Sequence, residues 1–374
     1  MNEEIGRRVR EVLAGLTPPR TQASVAETVE MTPDAFSRAL SGKRGFSSIE
    51  LARLAELLEV DIYWLITGAE DPHRLRVAAR HDFDPTTGGR STPTWESDLR
   101  VLEKVRLAYR QAYPGASEAP SRLPSTPDAV RTLLGEDFVR PFAARLELEA
   151  GVDVVRVHEI GTSYLLRIGG RHAVVMPTTG SWFRENWALA HELGHLAHQD
   201  LEDDVLGHSA PRPVSEERER AANAFAAELL LPEPALRRID WRRAGPDVVA
   251  DVVWSRGVST KALANRLVSL RIAASRDVSD VLTWPTQRVL RQHPPAEPGE
   301  FDPITLRMEQ AASRRFPVTL QERHREGIAS GRLGAATLAW MLNVSEDSLD
   351  VDEPNPADPV EPDDLAATLG LAVP

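Results

Sequence analysis

Proline sets the first limit on what this chain can become. The 28 prolines are uneven, and many fall in HDFDPTTGGRSTPT, PGASEAPSRLPSTPD and QHPPAEPGEFDP. Proline fixes φ, lacks an N–H and pushes the residue before it out of the helical region, so helices and central strands stop at these stretches. They divide the 374 residues into separate folding segments, and that length suits two or three domains. The expected boundaries are a helical module over 1–70, a linker over 71–95, a central domain over 96–283 and a helical C-terminal region over 284–374.

Within 1–70, apolar residues recur at helical spacing in IGRRVREVLAGL, SVAETV, PDAFSRAL, SIELARLAELLEV and DIYWLI, which predicts five short helices. Thr32-Pro33 and Ser47-Ser48 read as helix starts, and Gly42, Gly45 and Gly68 punctuate the ends. The central segment begins with a helix at SDLRVLEKVRLAYRQAY and then changes period. DVVRVHEI, SYLLRIGG and RHAVVMP are β-branched runs broken by Gly and Ser, hence two or three strands of a small sheet. Helix returns in ENWALAHELGHLAHQD, packed on that sheet, and continues through ERERAANAFAAELLLP and VSTKALANRLVSLRI, with a last helical region near 304–343. The fold class expected is α+β and mostly helical.

Composition narrows the chemistry. There is no Cys, so disulfides and thiolate metal sites are impossible, and a metal would have to use His, Asp or Glu. MNEEIGRRVREV carries no apolar leader core, and no run of about 18 apolar residues occurs, so a cytoplasmic location without a membrane span is expected. A net charge of −12 argues against binding nucleic acid by bulk electrostatics. The stretch VDEPNPADPVEPDD reads as an extended, solvated acidic tail.

The chemistry-bearing stretch is HELGH. His191 and His195 are four apart, which on a helix puts both imidazoles on one face, one turn from each other. Two such imidazoles can share a tetrahedral Zn²⁺, and Glu192 is placed to reach a water beside it. A catalytic zinc needs a third protein ligand. In EERERAANAFAAELLLP, Ser215 is a natural N-cap and Ala222, Phe225, Ala226, Leu229 and Leu230 form an apolar face. Glu219 and Asn223 then share another face, Glu219 as a carboxylate ligand and Asn223 as an amide that orients a ligating histidine. Tyr164, His172, His198 and His208 are the residues weighed as donors to an oxyanion, with His198 read as structural.

HELGH, then ERERAANAFAAELLLP, then GVSTKALANRL resembles the ImmA/IrrE metallopeptidases, whose helix ending in AHELGH is followed by Glu-x-x-Ala-Asn-x-Phe-Ala and a Val-Ser-x-x-Ala-Leu-x-x-Arg-Leu helix. The likeness covers about residues 150–272. It implies zinc held by His191, His195 and Glu219, Glu192 as general base, and peptide hydrolysis in a zincin-like domain. Ala221 stands where relatives often carry an acid, which leaves Glu219 as the natural ligand.

The segment TQASVAETVEMTPDAFSRALSGKR with ELARLAELLEVDIYWLITG resembles a phage-repressor-type (XRE) helix-turn-helix. The resemblance implies that Ser37 and Arg38 face the major groove, that Lys43 and Arg44 meet phosphates and that Gln22 sits at the backbone. Glu30 occupies the turn position usually held by Gly, and residues 1–70 carry eight basic side chains against eleven acids. DNA binding by such a module calls for a homodimer rather than bulk charge. Together the two resemblances imply a zinc endopeptidase that cleaves a helix-turn-helix repressor or related regulator, switching on a stress, mobile-element or defence response. The alternative is a transcription regulator whose peptidase-like domain only senses a ligand or partner.

Overall fold

The computed structural model describes residues 2–16, 18–58, 60–69, 75–79, 82–83, 90–91, 94–115, 123–198, 215–294 and 302–351. The acidic tail, His208 and much of the three Pro-rich breaks lie outside the described residues. The chain divides into two compact units, Met1–Arg74 and Leu75–Pro374.

The first unit holds five helices, α1 (Asn2–Gly15), α2 (Gln22–Thr28), α3 (Pro33–Leu40), α4 (Ser48–Leu57) and α5 (Ile62–Thr67). Their starts are written in local chemistry. Thr32 accepts from the Ala35 N–H ahead of Pro33, and Ser47 forms a reciprocal capping box with Glu50. Gly68 closes α5 at φ 79°, a left-handed value that glycine adopts without strain. Val9, Val25, Ala26, Phe36, Leu54 and Leu65 form the buried centre of this unit.

The second unit is built on one sheet. β1 (Leu75–Ala79) precedes a two-residue ladder of β2 (Asp82–Phe83) with β3 (Arg90–Ser91), and β4 (Val152–Val157), β5 (Tyr164–Ile168) and β6 (Arg171–Pro177) follow. The main sheet runs in the order β1-β5-β6-β4. β5 pairs antiparallel with β6 and with β1, and β4 pairs parallel with β6. β1 falls in the stretch expected to be linker. Its backbone pairs with the outer edge of β5, from Leu75 opposite Ile168 to Ala79 opposite Tyr164. That supplies partners to N–H and C=O groups which would otherwise form a bare sheet edge.

Side chains alternate across the sheet with a period of two, and both faces are buried. Val152, Val154, Leu165, Val174 and Met176 join the larger core. Val155, Val157, Tyr164, Leu166, Ala173 and Val175 join a second core. The second face is covered by α6 (Trp95–Ala112), which was expected, and by two helices from the far end of the chain. The first face carries α7 (Pro127–Leu134), α8 (Phe142–Arg145), α9 (Trp182–Ala197), α10 (Glu216–Leu230), α11 (Glu233–Arg237), α12 (Pro246–Arg256), α13 (Thr260–Ser269), α14 (Arg276–Val281) and α15 (Thr286–Gln292).

Residues beyond 283, expected as a region of their own, belong to this same unit. α16 (Pro303–Ala312) packs on α9, while α17 (Val318–Ala329) and α18 (Ala336–Leu342) pack on α6. Between α16 and α17, Arg315 exchanges both backbone hydrogen bonds with Arg156 at the β4 edge, at 2.8 and 3.0 Å. The apolar residues Phe316, Leu320, Leu338 and Met341 complete the second core beside α6, so this region is part of the same packed layers rather than an independent domain.

Candidate metal centre

α9 is the helix that HELGH predicts. Leu189, Leu193 and Ala190 are fully buried in the larger core, which fixes the helix rotation and turns His191 and His195 toward Glu219 on α10; Glu192 is buried beside them. α10 starts at Ser215, whose hydroxyl accepts from the Arg218 N–H, and Ala222, Phe225, Ala226 and Leu229 bury its apolar face. That leaves Glu219 on the side facing α9, where it is buried and meets His191 and His195. Of the neighbouring acids, Glu216 and Glu217 are exposed, whereas Glu228 is half-buried and paired with Arg266.

Gly194 is what lets the two helices meet. A Cβ at that position would lie 2.8 Å from the Ala222 Cα and 3.0 Å from its carbonyl oxygen, so any side chain would collide with backbone. Glycine inside a helix costs about 1 kcal/mol relative to alanine, and the close crossing explains its presence. The sequence signal was there, a glycine in the middle of an otherwise helical run, but its meaning depends on α10.

The crossing brings three donors together. The His191 and His195 Nε2 atoms are 3.0 Å apart, and the two Glu219 carboxylate oxygens lie 3.5 Å from one or the other. Among the described residues this is the group of three such side chains that could hold one metal, all ligand atoms within 4.8 Å of one another. A tetrahedral ion with bonds of about 2.0–2.1 Å has ligand–ligand edges of roughly 3.4 Å, so the donor set has the size and the N, N, O chemistry of a zinc site with one position left open. His191, Glu192 and His195 are 1, 1 and 2% exposed, and Glu219 is 8% exposed, which puts the group in a low-dielectric interior.

Asn223 supports this cluster. Its Nδ2 donates to the Glu219 carbonyl at 2.9 Å, which leaves Oδ1 to accept from His191 Nδ1 at 3.2 Å. The proton on Nδ1 leaves the Nε2 lone pair aimed at Glu219 and His195. Asn186, which sequence reasoning passed over, steadies α9 from its other end by donating to the Gly257 carbonyl at 3.0 Å.

The residues weighed as oxyanion donors fall elsewhere. The Tyr164 hydroxyl donates to Asp98 at 2.7 Å in the core on the sheet's other face, and burial pushes its pKa well up. His172 stands at the start of β6 and is not in the cluster; burial, then the Arg167 charge, lowers its pKa to about 4. His198 Nδ1 donates to the Gly194 carbonyl at 2.6 Å as the C-cap of α9, a structural role.

The N-terminal residues singled out for DNA lie in the first unit. Gln22 opens α2, Ser37 and Arg38 are on α3, and all three are exposed, as is Lys43. Arg44 is half-buried and donates twice to Glu50, at 2.8 and 3.1 Å. Glu30 adopts φ 58° between α2 and α3, a left-handed value unusual for a residue with a Cβ, and its carboxylate meets Arg53 at 2.7 Å.

No helix among the described residues is long and apolar enough to cross a membrane. Neither the curated proteins nor the solved structures include a match to this chain. Residues 154–268, the span from β4 to α13 that contains every member of the buried cluster, match the family Peptidase_M78, the IrrE N-terminal-like domain, so the chain carries a metallopeptidase-type domain of that kind.

Proposed function

We propose that this protein is a zinc-dependent endopeptidase, with His191, His195 and Glu219 holding the metal and Glu192 acting as general base. The observation that carries the reading is the convergence of two imidazole nitrogens and a carboxylate on a single tetrahedron-sized space, with a second buried carboxylate on the same helix. Bound there, zinc would polarise the scissile carbonyl and lower the pKa of a water toward about 7. Glu192 follows His191 directly in α9, so its carboxylate is displaced around the helix from the ligand face. In this reading it takes the proton of the attacking water and returns it to the leaving amine. Asn223 keeps His191 in the tautomer that ligation needs.

The substrate in this reading is a helix-turn-helix repressor or related regulator in the cytoplasm, an assignment that rests on the family resemblance. The N-terminal unit is read as the helix-turn-helix partner of the peptidase. Supporting it are the paired helices α2 and α3, the left-handed Glu30 between them and the exposed Gln22, Ser37, Arg38 and Lys43. Arg44 would have to leave Glu50 to reach a phosphate. Eight basic against eleven acidic residues over 1–70 make a homodimer the form that would bind DNA.

Elemental analysis of the purified chain tests the metal. About one zinc per chain is expected in the wild type, with loss in both His191→Ala and Glu219→Ala. Zinc lost only from His191→Ala would mean that the third ligand is another residue. A wild type that takes up no zinc when it is supplied would sink the peptidase reading in favour of a regulator with a peptidase-like sensor.

A further inference from the structure

A cavity of about 660 Å³ opens beside the first turn of α9, and its wall is unusual in charge. Arg140, Arg156, Arg307 and Arg315 line it against two carboxylates, Glu185 and Asp137. Arg156 meets Glu185 at 3.1 Å, and Arg315 gives both its terminal nitrogens to Glu147, each at 2.6 Å. Asp137 is exposed to solvent. Among the described residues, Arg307 makes no ion pair with a carboxylate, although Glu185 lines the same cavity. Its guanidinium lies over the rings of Trp182 and Trp254, 4.8 and 4.4 Å from their centroids, and donates one hydrogen bond to the Trp254 carbonyl at 3.3 Å.

Arg307 is therefore a positioned but unneutralised cation. Two indole faces and one carbonyl hold the guanidinium in place, yet they use only part of its five donors. Burial, and then the charge of Arg140, drive its pKa down to about 9, and the opposing charge of Glu185, already paired with Arg156, does not offset them. A second unmet group sits in the same wall. Trp182 is 5% exposed, and its indole Nε1 is buried with no hydrogen-bond partner among the described residues. Buried donors are nearly always satisfied in native proteins, and an exception points to a ligand, ion or water.

We propose that this cavity binds a small molecule through a phosphate or carboxylate head seated on Arg307 and Arg140. The oxyanion supplies the charge that Arg307 lacks, and guanidinium groups match oxyanion geometry with paired hydrogen bonds. The volume lies within the usual range for small-molecule sites, about 300–1,000 Å³. The apolar part of the wall, Phe142, Leu306 and Ala311, would take the body of the ligand.

The position gives such a ligand a consequence. Trp182, Glu185 and Asn186 belong to the cavity wall and to α9, the helix that carries His191, Glu192 and His195. Arg156 reaches into the cavity from β4, and Arg307 and Gln310 reach in from α16. An occupant would bridge α16 and the helix of the metal centre, and so act as an effector of that centre rather than as its substrate.

The binding itself can be tested without any proteolysis, so its failure is separable from failure of the peptidase reading. Thermal unfolding and calorimetric titration of the full chain would be run with inorganic phosphate and, separately, malonate, at constant ionic strength set with chloride. Saturable binding of at least one of the two, with a raised Tm, is expected; which one binds tells a phosphate head from a carboxylate head. Arg307→Gln should weaken it at least tenfold. Arg140→Gln, a substitution at a half-buried position whose guanidinium lies over the Trp254 ring at 5.6 Å, farther than that of Arg307, should weaken it several-fold with a smaller effect on folding, and guards against a folding defect in the first variant. Binding that both variants leave unchanged, or no saturable binding by either probe at 10-millimolar order, overturns the proposal.

Discussion

Asn223 shows how far single residues can be read from a chain. Its four-residue spacing from Glu219 and its place in the helix were visible, and the structure adds the geometry: its Nδ2 donates to the Glu219 carbonyl and its Oδ1 accepts from His191 Nδ1. Groups that orient a ligating histidine are worth about 10- to 100-fold in metal affinity. Asn223→Ala should therefore lose zinc to a competing chelator at concentrations about ten to a hundred times lower than the wild type does, with little change in Tm. Asn223→Asp, which keeps an acceptor, should lose less; equal losses in both variants would argue against an orienting role. Glu192→Gln makes the complementary case. The amide has nearly the same shape but no basicity, so zinc content should be unchanged while the rate of peptide cleavage falls by about 10²–10⁴. Tyr164 and His172 were not separable from active residues by sequence alone. Which face of the sheet a strand residue occupies, and what waits there, depends on packing that strand periodicity does not encode.

Elements were readable where their signals were local. Helices start where the sequence places them at Thr32, Ser47 and Ser215, and each hydroxyl accepts from a backbone N–H of the first turn. The apolar runs of β4, β5 and β6 read as strands because both faces of the sheet are buried. β1 was hidden because its five residues sit among Pro- and Gly-rich sequence and gain their role only by pairing with β5. The approach of α9 to α10 was equally hidden, although it decides whether the two halves of the metal centre meet. Gly194→Ala tests that approach. The added methyl would stand 2.8 Å from the Ala222 Cα, where backbone and not a flexible side chain must give way. Overpacking of this kind costs about 1–3 kcal/mol, despite the better helix propensity of alanine. A lower Tm is expected together with reduced zinc content, since Glu219 rides on the displaced helix. An unchanged Tm with full zinc would show that the crossing tolerates a side chain.

The chain as a whole was the least readable, because its layers are assembled from distant segments. The back of the sheet is covered by α6 and by α17 and α18, separated by some 200 residues of sequence, and buried His324 on α17 joins these layers through the Ala108 carbonyl at 2.9 Å. The arginine-lined cavity likewise collects residues 140, 156, 307 and 315 from four places. Burial lowers the pKa of His324 as well as that of His172, so both are neutral in the folded protein. In the unfolded chain an ordinary histidine titrates near 6.5. Between that value and the folded pKa, about 4 for His172, the unfolded state binds the extra proton and the folded state does not. Stability is then complete above about pH 6.5 and declines as pH falls toward 4, by at most about 3 kcal/mol for a shift of this size at His172. Tm measured across this range should be flat near neutrality and fall on the acid side. His172→Leu removes one of the two groups, so its profile should fall less steeply between pH 6.5 and 5, above the range where carboxylates dominate. Profiles of equal slope for the variant and the wild type would place the acid sensitivity elsewhere in the molecule.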